Sequence, residues 1–554
     1  MNSALEPSHR RRSPVKVLEQ LRDSTRTLLN NRGRPKLRPL QILDLPNELL
    51  IHIFEFVIED RSIDEQFIFY YRKSDSIQGI QSIRLTCRRF CETSSHLLLP
   101  CIDVDMTRSS LAHFDEVSRH PSVSKGVRII HLSLGLFYDS VLAHDIRVFV
   151  AYHATLLREI VGYWRTKANG ELAGETPPEV YRRAISKAVP LAESWEELAA
   201  WGISTIHADH LMILNAYEQY LQLYEDYVDF SCSFTQAITS AMMRMPTATR
   251  IKISDTTMHG PSDLTAGYPS LGTFDQHDSL LKHLLSRTKW SQARKHGLGQ
   301  PPFHLIGELL CSIQQLELPL EKLHIGTPLP LSSPSTSNTV TTHEQIVLHR
   351  ALKGLKTLRF QPPSDISDDY WTETTLDKWA YFPSLLLSLL HTKSLQTIYI
   401  NLSLMVTHDR PPQFSMAFLL LSYKWPNLQR LYFNGPFHFE ELRLVVQHLG
   451  QNVELHWSGY LMSGSWADVL DLLRGRNTPR QLIGDVYGSV YGQECDLMDV
   501  EDMDAIFGKA GSWRDSKAIL YIQGRIPSNP VTAWEMDGVD MPSPSDDGTQ
   551  DEQF

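Results

Sequence analysis

Cysteine is scarce. Six residues in 554 (Cys87, Cys91, Cys101, Cys232, Cys311 and Cys495) are too few and too scattered for a disulfide framework. A reducing compartment, cytoplasmic or nuclear, is therefore expected. Long apolar runs are also missing. Leu385–Leu390 and Ala417–Leu421 fall far short of the ~20 residues that span a bilayer, so no membrane partner is expected. The first residues are polar and basic with no apolar stretch behind them, so no secretory signal is read there.

Catalytic motifs are absent as well. Residues 105–535 hold no Gly-x-Ser-x-Gly, no phosphate-binding Gly-x-x-x-x-Gly-Lys-Ser/Thr, no Gly-x-Gly-x-x-Gly, no Cys-x-x-Cys and no His-Glu-x-x-His. Enzyme activity, a cofactor and a metal are accordingly not expected. The nearest approach to a metal-ligand cluster is His207, Asp209 and His210, read as part of a helix start. The basic stretch Lys282–His296, which includes Trp290, reads as a solvated helix and loop.

What is present is ordinary globular material: 42% hydrophobic, 21% charged and 9% aromatic residues, which excludes a wholly disordered or fibrous chain. The net charge of −11 is unevenly spread. Residues 1–40 carry ten Lys or Arg against three Asp or Glu, a surplus of +7 that leaves −18 for the rest. Residues 535–554 hold seven acids and no base. Both ends read as disordered tails. An acidic body argues against a nucleic-acid partner, since such affinity comes from neutralising phosphates.

The chain changes character at residue 41. Leu45, Leu49, Leu50, Ile53 and Phe54 recur at helical spacing, with Pro46 at the first helical position and Glu48 in the first turn. Phe56 and Val57 make the far end apolar nearly all round, more than a lone helix can bury. A second helix is expected over Ile77–Leu98, with Ile80, Ile83, Cys87, Phe90 and Cys91 on one stripe, Leu85 off it, and Arg84, Arg88 and Arg89 largely opposite. Leu99-Pro100 then turns into a short strand at Cys101–Val104.

These two segments, Leu45-Pro46-Asn47-Glu48-Leu49-Leu50 and Leu85-Thr86-Cys87-Arg88-Arg89-Phe90, resemble the F-box, in the form seen in the F-box proteins expanded in fungi. The likeness covers about 60 residues. It implies a small all-α module that docks on the Skp adaptor of a cullin-based ubiquitin ligase. It further implies adaptor contact for Leu45, Pro46, Leu49, Leu50 and Ile53, with Leu85, Cys87 and Phe90 contacting the adaptor or filling the module's own core. The linker from Val57 to Ile77 is longer than the family's usual one, which puts full ligase assembly in question.

Repetition fills the remainder. An apolar-x-x-apolar-x-apolar pattern occurs at Leu320–Ile325, Leu355–Phe360, Leu395–Ile400 and Leu428–Phe433, with weaker copies at Val127–Leu132, Ala248–Ile253 and Asn452–Trp457. Its ending alternates as a strand does, and a helical stretch precedes each strong copy. The array resembles degenerate leucine-rich repeats: one strand and one helix per unit, stacked as a solenoid. A compact α/β domain of similar units is the alternative. The expected class is α+β: an F-box over 41–105, a mainly helical region over 106–245, and a strand-helix array over 246–534, between tails 1–40 and 535–554. Within the helical region, Tyr217, Tyr220, Tyr224 and Tyr227 form a stripe read as core packing.

In such an array the residues between the apolar strand positions share one face. They form a column of His324, Arg359, Tyr399, Tyr432 and His456, and a second of Gln361, Asn401, Asn434 and Ser458. Tyr and Arg are the types that dominate binding hot spots, so this face is expected to hold a protein substrate. The expected function is a substrate-recruiting subunit of a Skp–cullin–F-box ligase. A scaffold that binds the adaptor without ubiquitin transfer is the other possibility.

Overall fold

The computed structural model describes residues 18–19, 21–26, 41–58, 75–169, 178–201, 208–254, 277–298, 304–326, 342–361, 381–402, 416–435, 437–458, 461–474, 505–507 and 516–537. Residues 59–74, most of the long linker, lie outside these, as do 538–554 of the acidic end. In the basic N-terminal segment, expected to be disordered, residues 18–19 and 21–26 are helical, with Leu18 and Leu21 exposed.

A 3-10 turn at Ile42–Asp44 leads into α1 (Asn47–Ile58), followed by α2 (Asp75–Thr86) and α3 (Arg88–Ser94). Pro46 stands one residue earlier than expected, as the cap of α1. Its carbonyl accepts the first helical bond, from the Leu50 N–H at 3.1 Å, and its own missing N–H costs nothing there. The single helix expected over Ile77–Leu98 is broken at Cys87. That residue is extended (φ −162°, ψ 164°), and its Sγ accepts from the Phe90 N–H, capping α3. With this break, Ile80 of α2 and Phe90 of α3 both reach Leu50 and Phe54 of α1; with Leu97 they form a small separate core. Phe54 and Phe90 meet edge to face at 5.1 Å, a favoured aromatic geometry.

Eight of the twelve described strands build one sheet, and the other four form two separate pairs. β1 (Cys101–Asp105) is followed by α4 (Arg108–Arg119), β2 (Ile129–Ser133), a short β3 (Leu136–Phe137), and helices α5 (Ser140–His144), α6 (Ile146–Ala168), α7 (Pro178–Trp201) and α8 (Ala208–Met242). Then come β4 (Arg250–Ser254), α9 (His277–Leu284), β5 (Thr288–Lys289), α10 (Trp290–Lys295), α11 (His304–Gln315), β6 (Lys322–Gly326), α12 (Thr342–Ala351), β7 (Thr357–Phe360), α13 (Tyr381–Leu390), β8 (Thr397–Asn401), α14 (Met416–Leu421) and β9 (Arg430–Asn434). The chain ends with β10 (Phe437–His438), α15 (Phe439–His448), β11 (Glu454–Ser458), β12 (Leu461–Ser463), α16 (Trp466–Leu473), α17 (Lys517–Ile522) and α18 (Pro530–Asp537). The last helix crosses the boundary expected at residue 535.

The sheet order is β1-β2-β4-β6-β7-β8-β9-β11, and every pairing is parallel. Each strand therefore lies beside the next main strand in the sequence. Apolar residues at alternate strand positions, such as Leu323, Leu358, Ile398, Leu431 and Leu455, enter one large core with the helices. Helices α4, α8, α11, α12, α13, α14, α15 and α16 pack successively against one another. The boundaries expected at 105 and 245 do not divide this sheet. β1 and β2 belong to it, and the helices of 140–242 are an insertion between β2 and β4. The weak copies at 127–132, 248–253 and 452–457 are real strands of the same sheet.

The insertion has a second core, built from α5, α6, α7, α9 and the N-terminal half of α8. α8 is 35 residues long. Ile213, Ala216 and Tyr220 lie in this second core, while Phe230, Phe234 and Ile238 lie in the main one. The tyrosine stripe is core packing: Tyr220 and Tyr227 are buried, and Tyr217 and Tyr224 pack against the second core.

His153 of α6 is buried between Phe149 and Tyr152, and its Nε2 has no hydrogen-bond partner among the described residues. Burial, and secondarily His283 nearby, pushes its pKa down to about 3. The folded state thus takes up its proton far less readily than the unfolded chain, whose histidines titrate near 6.5. The stabilising effect is complete above pH ~6.5 and is lost as pH falls toward 3, by about 1.4 kcal/mol per pH unit for this one group. Thermal melts between pH 7 and 4 should show His153→Leu losing less stability than the parent. Parallel curves would show that His153 is not the titrating group.

Candidate functional site

Two surfaces carry the residues singled out from sequence. The first is the outer side of the helical module. Leu49 (48% exposed), Ile53 (39%) and Phe56 (67%) follow one another along α1 at spacings of four and three, so they form one stripe. Ile42, Leu43 and Leu85 are exposed too, Leu85 at 88%. Pro46 is exposed and Leu45 half-buried. Leu50 is a correction: it is fully buried at the centre of the module's own core, because α1 turns its Leu50–Phe54 side inward. Phe90 is likewise core, and Cys87 is half-buried against it.

Arg89, assigned from sequence to the solvent side, is the residue that fixes the Leu-Pro segment. Its Nε donates to Asn47 Oδ1 at 2.9 Å, and its Nη1 and Nη2 donate to the carbonyls of Leu43 and Leu45. One guanidinium thus ties the entry of α1 to α3. Charge-assisted bonds of this kind contribute about 1.5–3 kcal/mol each at most. No periodicity could reveal this, because the partners, one side-chain oxygen and two backbone carbonyls, lie more than forty residues away.

The second surface is the sheet face opposite the helix layer. The register aligns Asp103, His131, Lys252, His324, Arg359, Tyr399, Tyr432 and His456 in one row across all eight strands. The column read from sequence therefore exists, and it is longer than expected. Asn401, Asn434 and Ser458 align in the next row, each the last residue of its strand. The Gln361 N–H donates to the Ile325 carbonyl, which extends the β6–β7 ladder.

The column is more enclosed than an open face would be. His324 (4% exposed), Arg359 (6%) and His456 (8%) are buried, whereas Tyr399, Tyr432, Asn401 and Asn434 are half-buried. Parallel strands lie about 4.8 Å apart, so long side chains in register stack on each other. The Arg359 guanidinium carbon sits 3.7 Å from the Tyr399 ring centroid, a cation–π contact. Tyr399 and Tyr432 are 5.8 Å apart, and Tyr432 stacks on His456 at 4.1 Å. His456 Nε2 lies 2.9 Å from Glu454 Oε1. Burial pushes the Arg359 pKa down to about 10, partly offset by Tyr399, so it stays charged at neutral pH.

At the other end of the row, His131 bonds Asp103 Oδ1 through Nδ1 (2.8 Å) and Ser254 Oγ through Nε2 (2.6 Å). This is the order of groups found in a nucleophile–base–acid relay. Yet His131 is fully buried and Ser254 only 3% exposed, so a substrate carbonyl has no approach to the hydroxyl. The arrangement satisfies a buried imidazole on both nitrogens.

The remaining candidates have local partners. His207 lies outside the described residues, and His210 Nε2 is 3.2 Å from the Ser194 carbonyl inside the helical insertion. Among the described residues no group of three His, Cys, Asp or Glu is placed to hold a metal. In the basic stretch, Arg287 pairs with Asp105 at 3.0 Å and Lys295 with Glu159 at 2.8 Å. A cleft of about 450 Å³ between α4 and α8 is lined by Arg108, Arg119 and Arg244, but Asp115 pairs with both Arg119 and Arg244. No described helix is long and apolar enough to cross a membrane.

The architecture shown by these residues is mixed α/β with an eight-stranded parallel sheet. Comparison with known proteins finds no family model that matches the chain, no similar curated protein and no similar solved structure.

Proposed function

We propose that the chain is the substrate-receptor subunit of a Skp–cullin–F-box ubiquitin ligase. The observation that carries this reading is the apolar stripe Leu49–Ile53–Phe56, left uncovered on a helical module whose other side is a complete core. Large exposed apolar side chains grouped on so small a unit mark a docking surface. The Leu-Pro segment held by Arg89 and the α2–α3 pair packed on α1 support this reading. The sequential parallel sheet with its single helix layer is read as a leucine-rich-repeat-like solenoid, and its polar face as the substrate surface.

In this role the chain needs no nucleophile. One end docks on the ligase and the other holds a target near the charged ubiquitin carrier, so the rate gain is one of proximity. Purification of the tagged chain from cells co-expressing a Skp adaptor and a cullin tests the proposal. Recovery of both is expected. Adaptor without cullin would point to a scaffold, and neither partner would remove the F-box reading.

A further inference from the structure

The polar sheet face holds one buried charge that nothing described neutralises. At the ends of its row the basic groups are matched, His131 by Asp103 and His456 by Glu454. Arg359 in the middle is different. Its Nε donates to Gln361 Oε1 at 3.0 Å, Nη2 reaches the same oxygen, and its flat side rests on Tyr399. Both partners are neutral, and among the described residues no carboxylate pairs with it or acts on its charge. Withdrawing a guanidinium from water without a counter-ion is unfavourable. The Gln361 oxygen occupies the Nε–Nη2 edge, which leaves the Nη1 side for a ligand. His324 stands beside it in register and Lys252 one strand further, so no acid occupies this row on β6 or β4 either.

We infer that this face takes an acidic segment of a partner protein, with an Asp or Glu carboxylate on the Arg359 guanidinium and the following residues across Tyr399 and Tyr432. A carboxylate matches one planar guanidinium edge. A doubly charged phosphate would call for a second fixed guanidinium, and the adjoining position on β6 is a histidine. Two strand spacings separate Arg359 from Tyr432, about 10 Å, and an extended peptide advances roughly 3.4 Å per residue. The residue that meets the tyrosine edges therefore lies about three positions from the acid. Asn434 is aligned in the next row, where its amide side chain can bond the peptide backbone.

The inference rests on reading this face as the substrate surface, but its test does not use the adaptor. A displayed library of random twelve-residue peptides is selected on the purified full chain. The selected peptides should be enriched in Asp or Glu with an aromatic or branched apolar residue two to four positions away. In a synthetic peptide from the pool, Glu→Gln should weaken binding at least tenfold. Arg359→Gln in the chain should cause the same loss and leave no further loss for the Gln peptide. If Arg359→Gln fails to fold, the Glu and Gln peptides on the parent chain decide the matter alone. Neutral or basic peptides, equal binding of the Glu and Gln forms, or no enrichment at all would overturn the inference. Adaptor recovery from the same preparation reads the helical module separately, so failure here leaves the ligase reading standing, and the reverse.

Discussion

Leu49→Asp combined with Ile53→Asp is expected to weaken adaptor binding at least about 100-fold while leaving the melting temperature nearly unchanged. Both side chains are substantially exposed on one stripe of α1. Burying each in a partner is worth about 1.5–3 kcal/mol, and each tenfold in affinity is 1.4 kcal/mol. A carboxylate at the same place adds an unpaired buried charge in the complex, but in the free chain it faces water. Leu50→Ala, one position along, should behave in the opposite way. It empties part of the module's core at a cost of about 2–5 kcal/mol, so it lowers stability first and binding only as a result. Calorimetric titration with purified adaptor, beside thermal melts of the same preparations, separates the two. Binding by the double aspartate variant at parental strength would sink the docking surface.

The second large effect is expected at Gly126, where the module meets the sheet. A Cβ built there would lie 1.4 Å from the His96 carbonyl oxygen and 2.4 Å from its carbon, both backbone atoms that cannot swing aside. Gly126 ends the 3-10 turn Val123–Lys125, and His96 belongs to the turn that follows α3. Gly126→Ala must therefore push apart the two turns that join the helical module to β1 and β2, at a cost of roughly 3 kcal/mol or more. Amide exchange should accelerate at residues 95–104 and 123–133, with little change in β6–β9. Unchanged protection at 95–104 would show that the two turns are not a rigid joint. Such a joint matters to the proposed function because it sets the direction in which the polar face points relative to the docked adaptor.

The sheet register was legible because the repeat places Leu323, Leu358, Ile398, Leu431 and Leu455 at the same step of each copy, and these residues are paired neighbours. The membership of β1 and β2 was not, since an insertion with its own core separates them from β4 and hides the period. In α1 the sequence alone could not tell Leu49 from Leu50. Apolar residues lie nearly all round that helix, and only the packing of Ile80 and Phe90 decides which side is inward. The row from His324 to His456 was legible in its alignment but not in its enclosure. Its enclosure follows from the bulk of neighbouring side chains on adjacent strands, a property of pairs rather than of any single position. Arg89 escaped notice for the same reason.

The insertion between β2 and β4 also bears on how the chain closes. Paired residues on most adjacent strands are 24 to 72 positions apart in sequence, from Arg430–Glu454 to Arg250–Lys322, whereas Ile129 and Arg250 are 121 apart. The entropy of loop closure grows with the logarithm of that separation, so this junction costs about 1 kcal/mol more than a step of thirty residues. The cost falls at a single seam. On one side lie six strands that can zip together through short connections; on the other lie β1, β2 and the helical module. The seam divides the chain into a block that would hold a target and a block that would hold the ligase, and the latter is the part whose attachment is entropically dearest.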